Sequence, residues 1–371
     1  MLDLLHRFFA TYAAGDSLVT ARLEEALARP GCPVCRLVTR TEFHYFATLF
    51  YEHVTTPFIY RRLLASRGCC TEHTWLIIAA PPVEQSPTGV AILFEYLLVD
   101  LLRHATSNAA LIRWLTPQAP CQACEITARA EGVYLGEYAR LAADGVVGST
   151  LCWPHARMLL AEEASGPDVT LSWVRTPRHT GRSAPPGRPR LALAVGRRPG
   201  GSAPPAPICP VCRAATRAGL SVPTGAPLCR PHAWALYDAG QHDIAATIQE
   251  AVPPEECAAC QAAQVAASDA CDRLADGSAL CLRHLRLALA RQRPVRASAI
   301  DTLLRLTTDL GQLRESADYQ FAGTLTAAQR RSWLTALDCF GGEAIGMSLT
   351  EAYTGAKGAL RQSTAILDWP H

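Results

Sequence analysis

The chain has 371 residues, 49% of them apolar, 18% charged and 7% aromatic, which is enough for two or three compact domains and excludes a wholly disordered protein. The formal net charge is +2, so the bulk balance announces neither a nucleic-acid nor a membrane-surface partner. Leu, Ala and Arg dominate and apolar residues recur at three- and four-residue intervals, so a mostly helical fold with little strand is expected.

The opening stretch, MLDLLHRFFATYAAGD, places Asp3 and His6 early and has neither a basic n-region nor a small-residue cleavage site. It does not read as a signal peptide, and a cytoplasmic location is expected. The most apolar window, GVAILFEYLLVDLL, is broken by Glu95 and Asp100 and reads as a buried helix, so no membrane span is expected. Fifteen cysteines in a reducing compartment point to metal binding or redox chemistry in place of disulfides.

The cysteines follow one alternating pattern. Cys32 and Cys35 precede Cys70 and His73; Cys121 and Cys124 precede Cys152 and His155. Cys209 and Cys212 then precede Cys229 and His232, and Cys257 and Cys260 precede Cys281 and His284. Chance would give about one CxxC or fewer at this composition, not four alternating with four CxxH. Read in order, each copy offers three thiolates and one imidazole, the closed Cys3His complement of a structural zinc site. That predicts about four zinc ions per chain, with an iron-sulfur cluster as the alternative. Loading four zinc ions on twelve thiolates would take the formal charge from +2 to about −2.

The ligands sit at helix starts. Pro33 and Pro210 fit the first turn after a cysteine, and RLVTRTEFHYFATLFYEHV and EITARAEGVYLGEYARLAADG continue from Cys35 and Cys124 as helices. Two ligands three apart in a first turn share one face, and the dipole there favours thiolate. The expected fold is therefore mostly α: tandem helical-hairpin modules, each pinned by one Cys3His zinc site, with a disordered central linker.

In chain order the expectation is a first zinc module with long helices over 1–116. Within it, Thr56 caps, Pro57 starts and Gly68 stops one helix, and Ser86 and Pro87 open another running towards Trp114. A second module follows over 117–175, then a linker rich in Pro, Gly and Arg over 176–207. The third module covers 208–252. The fourth covers 253–342 and carries the C-terminal helices: one stretch through Leu313, then a helix with a Thr326–Gln329 capping box stopped by Gly341 and Gly342. Residues 343–371 read as a weakly structured tail. The register of Leu151, Leu228 and Leu280 before the third cysteine assigns Cys70, not Cys69, as the first module's ligand.

CPVCR, the run YEHVTTPFIYRRLLASRGCCTEHTW, the LCxPH motifs and the late DYQF and SWLTAL segments together resemble an uncharacterised bacterial family with paired CPxC and LCxxH motifs. The resemblance covers most of the chain outside the linker. It implies a cytosolic, helical, metal-binding protein and assigns no activity. Cys69 and the insertion before Cys209 depart from the pattern.

Cys69, Cys271 and Cys339 read as buried small hydrophobes. Oxidation could nonetheless pair Cys69 with Cys70 and expel the metal, which keeps a thiol redox sensor open as an alternative. His44, His53, Glu42 and Glu52 cluster in sequence but lack HExxH or ExxH spacing, so an ordinary helix face is the preferred reading. GxGxxG before a helix, a Walker lysine and GxSxG are absent. The helices after CxxH, WLIIAA and RMLLAEEA, are apolar where a DNA-reading helix would be polar, which leaves only the Arg-rich linker for nucleic acid as a second alternative. The leading reading is a zinc scaffold that works through a protein partner and has no catalytic centre of its own.

Overall fold

A computed structural model describes residues 17–29, 31–80, 83, 86–145, 151–152, 155–156, 158–159, 209–223, 225–229, 232, 236, 255–275, 278–318, 320 and 323–342. The opening segment, the 176–207 linker, the end of the second module and the 343–371 tail lie outside this set. The described residues are helical and contain no strand. No helix among them is long and apolar enough to cross a membrane. They fall into two compact units, one drawn from 1–45 and 123–190, the other from 46–122 and 191–371.

The first unit is built by α1 (Ser17–Leu27), the opening of α2 (Pro33–Glu52) and most of α7 (Gln122–Ala143). Val19, Leu23 and Ala26 recur at helical spacing on α1 and meet Val34, Leu37 and Val38 of α2 and Tyr134, Leu135, Tyr138 and Leu141 of α7. Glu137 is fully buried in this packing. Its carboxylate accepts from Thr20 Oγ1 and from two nitrogens of Arg140 at 2.7 and 3.1 Å, which offsets the cost of burying the charge.

The second unit contains α3 (Pro57–Ser66), α4 (Thr71–Leu76), α5 (Thr88–His104), α6 (Asn108–Leu115), α8 (Pro210–Gly219), α9 (Ala258–Asp272), α10 (Leu282–Ala290), α11 (Arg296–Glu315) and α12 (Ala327–Gly341). Helices from both sides of the linker share it: α5 packs on α11, and α12 lies against α4, α5 and α11. Val90, Ala91, Phe94, Leu97, Leu98 and Leu101 form the buried stripe of α5, so the GVAILFEYLLVDLL window is a core helix. Phe94 meets Phe340 edge-on with centroids 4.7 Å apart. Gly311 brings α11 close to α5, since a Cβ there would lie 3.2 Å from Glu95 Oε1, and Arg314 donates to Glu95 at 2.8 Å across the same contact.

Three local expectations change. Thr56 stands at the N-cap of α3, but its hydroxyl lies 3.5 Å from His53 Nδ1 and makes no cap bond. The helix opened near Pro87 does not reach Trp114. It ends at His104, and Ser107 caps α6 by accepting from Ala110 N at 3.1 Å, while Arg296 donates to the carbonyls of Ala105 and Thr106. The stretch through Leu313 likewise breaks between α10 and α11, where Gln292 takes a φ of 57° and Pro294 cannot continue a helix. The Thr326–Gln329 capping box and the stop at Gly342 are present as expected, with Thr326 N bonded to Gln329 Oε1 at 2.7 Å.

Candidate metal centres

All sixteen expected ligands gather into four clusters, in each of which the donor atoms lie within 4.8 Å of one another. The sets are Cys32, Cys35, Cys152 and His155; Cys70, His73, Cys121 and Cys124; Cys209, Cys212, Cys281 and His284; and Cys229, His232, Cys257 and Cys260. Each is Cys3His, but none joins a CxxC to the CxxH next after it. The sequential assignment is corrected: in each half of the chain the first CxxC pairs with the last CxxH, and the second CxxC pairs with the CxxH just before it.

The reason lies in the helices that leave the ligands. Cys121 and Cys124 begin α7, which runs for 22 residues, about 33 Å, before the chain approaches Cys152. To bring Cys152 back to Cys124, residues 144–151 would have to run almost fully extended along the helix. Cys152 instead closes on Cys35, whose own helix packs beside the far part of α7. Along α2, Phe46 is about 16 Å beyond Cys35 and packs on His73, 6.2 Å between ring centroids. A helix starting at one cluster thus carries the chain towards the other.

Among the described residues, the Cys70 cluster joins the N-terminal ends of α4 and α7, and the Cys209 cluster those of α8 and α10. Cys209 and Cys257 are the N-caps of α8 and α9, and their sulfurs accept from the amides of Cys212 and Cys260 at 3.5 and 3.4 Å. The first sulfur of these two CxxC pairs therefore caps a helix while standing among its cluster's donors. Cys70 and Cys281 are the N-caps of α4 and α10 and place His73 and His284 one turn in, where both are buried.

Nδ1 is the imidazole atom that faces the sulfurs in every case. In the first cluster His155 Nδ1 lies 3.3, 3.3 and 3.0 Å from the sulfurs of Cys32, Cys35 and Cys152. The matching distances from His284 to Cys209, Cys212 and Cys281 are 3.4, 3.2 and 3.3 Å. From His232 to Cys229, Cys257 and Cys260 they are 3.1, 3.7 and 3.3 Å, and His73 lies 3.1 and 3.9 Å from Cys70 and Cys121. Sulfur pairs sit at 3.4 to 3.6 Å, far beyond a disulfide bond of about 2.05 Å. Tetrahedral bonds of about 2.3 Å to sulfur and 2.0 Å to nitrogen predict edges of about 3.8 and 3.5 Å, so the clusters have the size of one ion's first shell.

Protons are shared unequally among such crowded donors. Hydrogen bonds with Cys152 and Cys35 hold Cys32 well below the usual thiol range, while those with Cys152 and Cys32 push Cys35 above it. Cys209 is depressed in the same way by Cys212 and Cys281, and Cys281 is raised by Cys209 and Cys212. Burial works against a charge on His155, but hydrogen bonds donated to Cys152, Cys32 and Glu131 outweigh it and raise the imidazole to about 11. Burial lowers His232 and keeps it neutral, the form that ligates.

The remaining thiols take no part in the clusters. Burial pushes Cys271 up to about 11 and Cys339 up to about 12, which removes their nucleophilic form at neutral pH. Cys69 is partly exposed and adjoins Cys70, which is the member of that cluster. Glu42 is buried while His44 is exposed, and His53 lies 3.8 Å from Glu52; the four form no donor cluster among the described residues.

Two residues beside the clusters carried no sequence signal for this place. Glu131 Oε1 lies 2.6 Å from His155 Nε2, 24 residues away in the chain. Gly342, legible only as a helix stop, sits with its Cα face on Cys212 and Cys281, where a Cβ would be 3.3 Å from both sulfurs. Its carbonyl accepts from Trp75 Nε1 at 2.9 Å, tying the end of α12 to the helix that carries His73.

No family model, no curated protein and no solved structure matches the chain, so of the resemblance to the bacterial family only the CPxC- and LCxxH-type clusters themselves stand.

Proposed function

We propose that this protein is a zinc-binding scaffold in which the sixteen clustered residues hold four structural zinc ions and the helical body acts by binding a protein partner. The observation that carries the reading is the fourfold Cys3His set, each with its four donors inside 4.8 Å. Four protein donors fill a tetrahedral ion and leave no position for water or substrate, which favours a structural over a catalytic metal. The short spacing favours one ion per cluster, because the cysteines of an iron-sulfur cluster ligate different irons and stand further apart. A reducing, cytoplasmic setting keeps the thiols available.

Elemental analysis with a visible spectrum, on the full chain purified without oxygen, tests the reading. About four colourless zinc ions per chain are expected. Iron with a brown absorbance, or a folded chain free of metal, overturns it.

A further inference from the structure

His155 is engaged at both ring nitrogens. Nδ1 faces three sulfurs, and Nε2 meets the carboxylate of Glu131 at 2.6 Å, with the imidazole 4% and the carboxylate 24% exposed. A carboxylate at Nε2 accepts a hydrogen bond from the Nε2–H and so reserves the Nδ1 lone pair for a cation among the sulfurs. It also makes the imidazole a stronger donor. The other clusters of the second half lack this device among the described residues. His284 has the sulfurs of Cys209, Cys212 and Cys281 as its polar partners. His232 turns Nε2 towards Gly219, where a Cβ would lie 3.3 Å away.

We infer that Glu131 is a positioning residue of the Cys32–Cys35–Cys152–His155 centre, locking His155 in its Nδ1-donating tautomer so that this centre holds its metal longer than those built on His232 and His284. The inference rests on the zinc reading above. Its consequence is an ordered loss of metal, in which the centre that clamps α2 to the segment after α7 outlasts the two in the second half. Glu131 stands seven residues beyond Cys124 on α7, so the helix that supplies a ligand to one centre braces the histidine of another.

The test uses the full zinc-loaded chain and the variants Glu131→Gln and Glu131→Ala. Zinc release to excess chelator is followed with a metal-sensitive dye. In the wild type the phase that carries the zinc missing from Cys152→Ser should be slower than the phases of the His232 and His284 centres. In Glu131→Ala that phase should quicken about 10- to 100-fold, with the other three ions unchanged. Glu131→Gln, which keeps an acceptor oxygen without the charge, should fall between. A long-range proton–nitrogen spectrum should show a slowly exchanging His155 Nε2–H in the wild type that is lost in Glu131→Ala, a change that a purely structural role would not produce. Unchanged release in both variants, or an unaltered His155 resonance, overturns the inference. Absence of zinc from the wild-type chain overturns the underlying reading, so the two failures are distinct.

Discussion

Double substitution of ligands reads the pairing directly. A zinc bound by Cys3His at neutral pH contributes about 10 to 16 kcal/mol of apparent binding energy, and one Cys→Ser change removes most of it. A second change within the same centre then costs almost nothing more, whereas a change in a different centre removes a second ion, so coupling reports shared membership. The clusters place Cys35 with Cys152, and Cys70 with Cys121 and Cys124. Cys35→Ser/Cys152→Ser should therefore retain three zinc ions after chelator challenge, and Cys35→Ser/Cys70→Ser only two. Sequential pairing reverses both numbers. Zinc per chain is measured by elemental analysis on the folded fraction, with helicity from circular dichroism. Three ions in the Cys35/Cys70 variant, with two in the Cys35/Cys152 variant, would refute the nested arrangement and the helix-length argument behind it.

The end of α12 gives a second prediction. Gly342 has φ 64° and ψ −171°, a conformation that costs a non-glycine residue about 1 to 3 kcal/mol, and an added Cβ would press on two sulfurs. Gly342→Ala should lower stability by about 2 to 4 kcal/mol and speed loss of one zinc. Gly145→Ala, at φ 71° with open space around it, is the control: it should cost about 1 kcal/mol and leave zinc retention alone, and equal behaviour of the two would count against the contact. Trp75→Phe should cost about 1 to 2 kcal/mol in chemical denaturation by leaving the Gly342 carbonyl unpaired; no measurable loss would mean water replaces the bond. Cys339 is raised to about 12 by burial, so the folded state holds its proton more tightly than the unfolded chain does. That stability is fully present below about pH 9 and is lost as the pH climbs towards 12, by up to about 1.4 kcal/mol per pH unit. Cys339→Ala should flatten the alkaline limb of the stability profile, and an unchanged limb would show that other groups set it.

Much of this protein is written locally. The helical class follows from three- and four-residue apolar spacing, the ligands from CxxC and CxxH, and their place at helix starts from Pro33, Pro210 and the apolar runs that follow. The Thr326–Gln329 box was legible for the same reason: a cap depends on residues within one turn. The break after His104 was not, because its freed carbonyls are satisfied by Arg296, a residue from the other side of the linker.

The pairing of ligands was of the second kind. Sequence order placed Cys70 after Cys35 and invited one cluster, although the helices from Cys35 and Cys124 already implied that each would leave its starting centre. Which helix ends meet is set by the packing of Val34 and Val38 against Tyr134, Leu135 and Tyr138, contacts that span about a hundred residues of chain. Glu131 reaches His155 through that packing, and Gly342 reaches Cys212 and Cys281 through the contacts of α12 with α10 and α11. The sequence by itself determined the donors and the helices that present them. The tertiary structure alone decided which donors share a centre, because a ligand pair fixes only one edge of a tetrahedron and the opposite edge must be delivered by another helix.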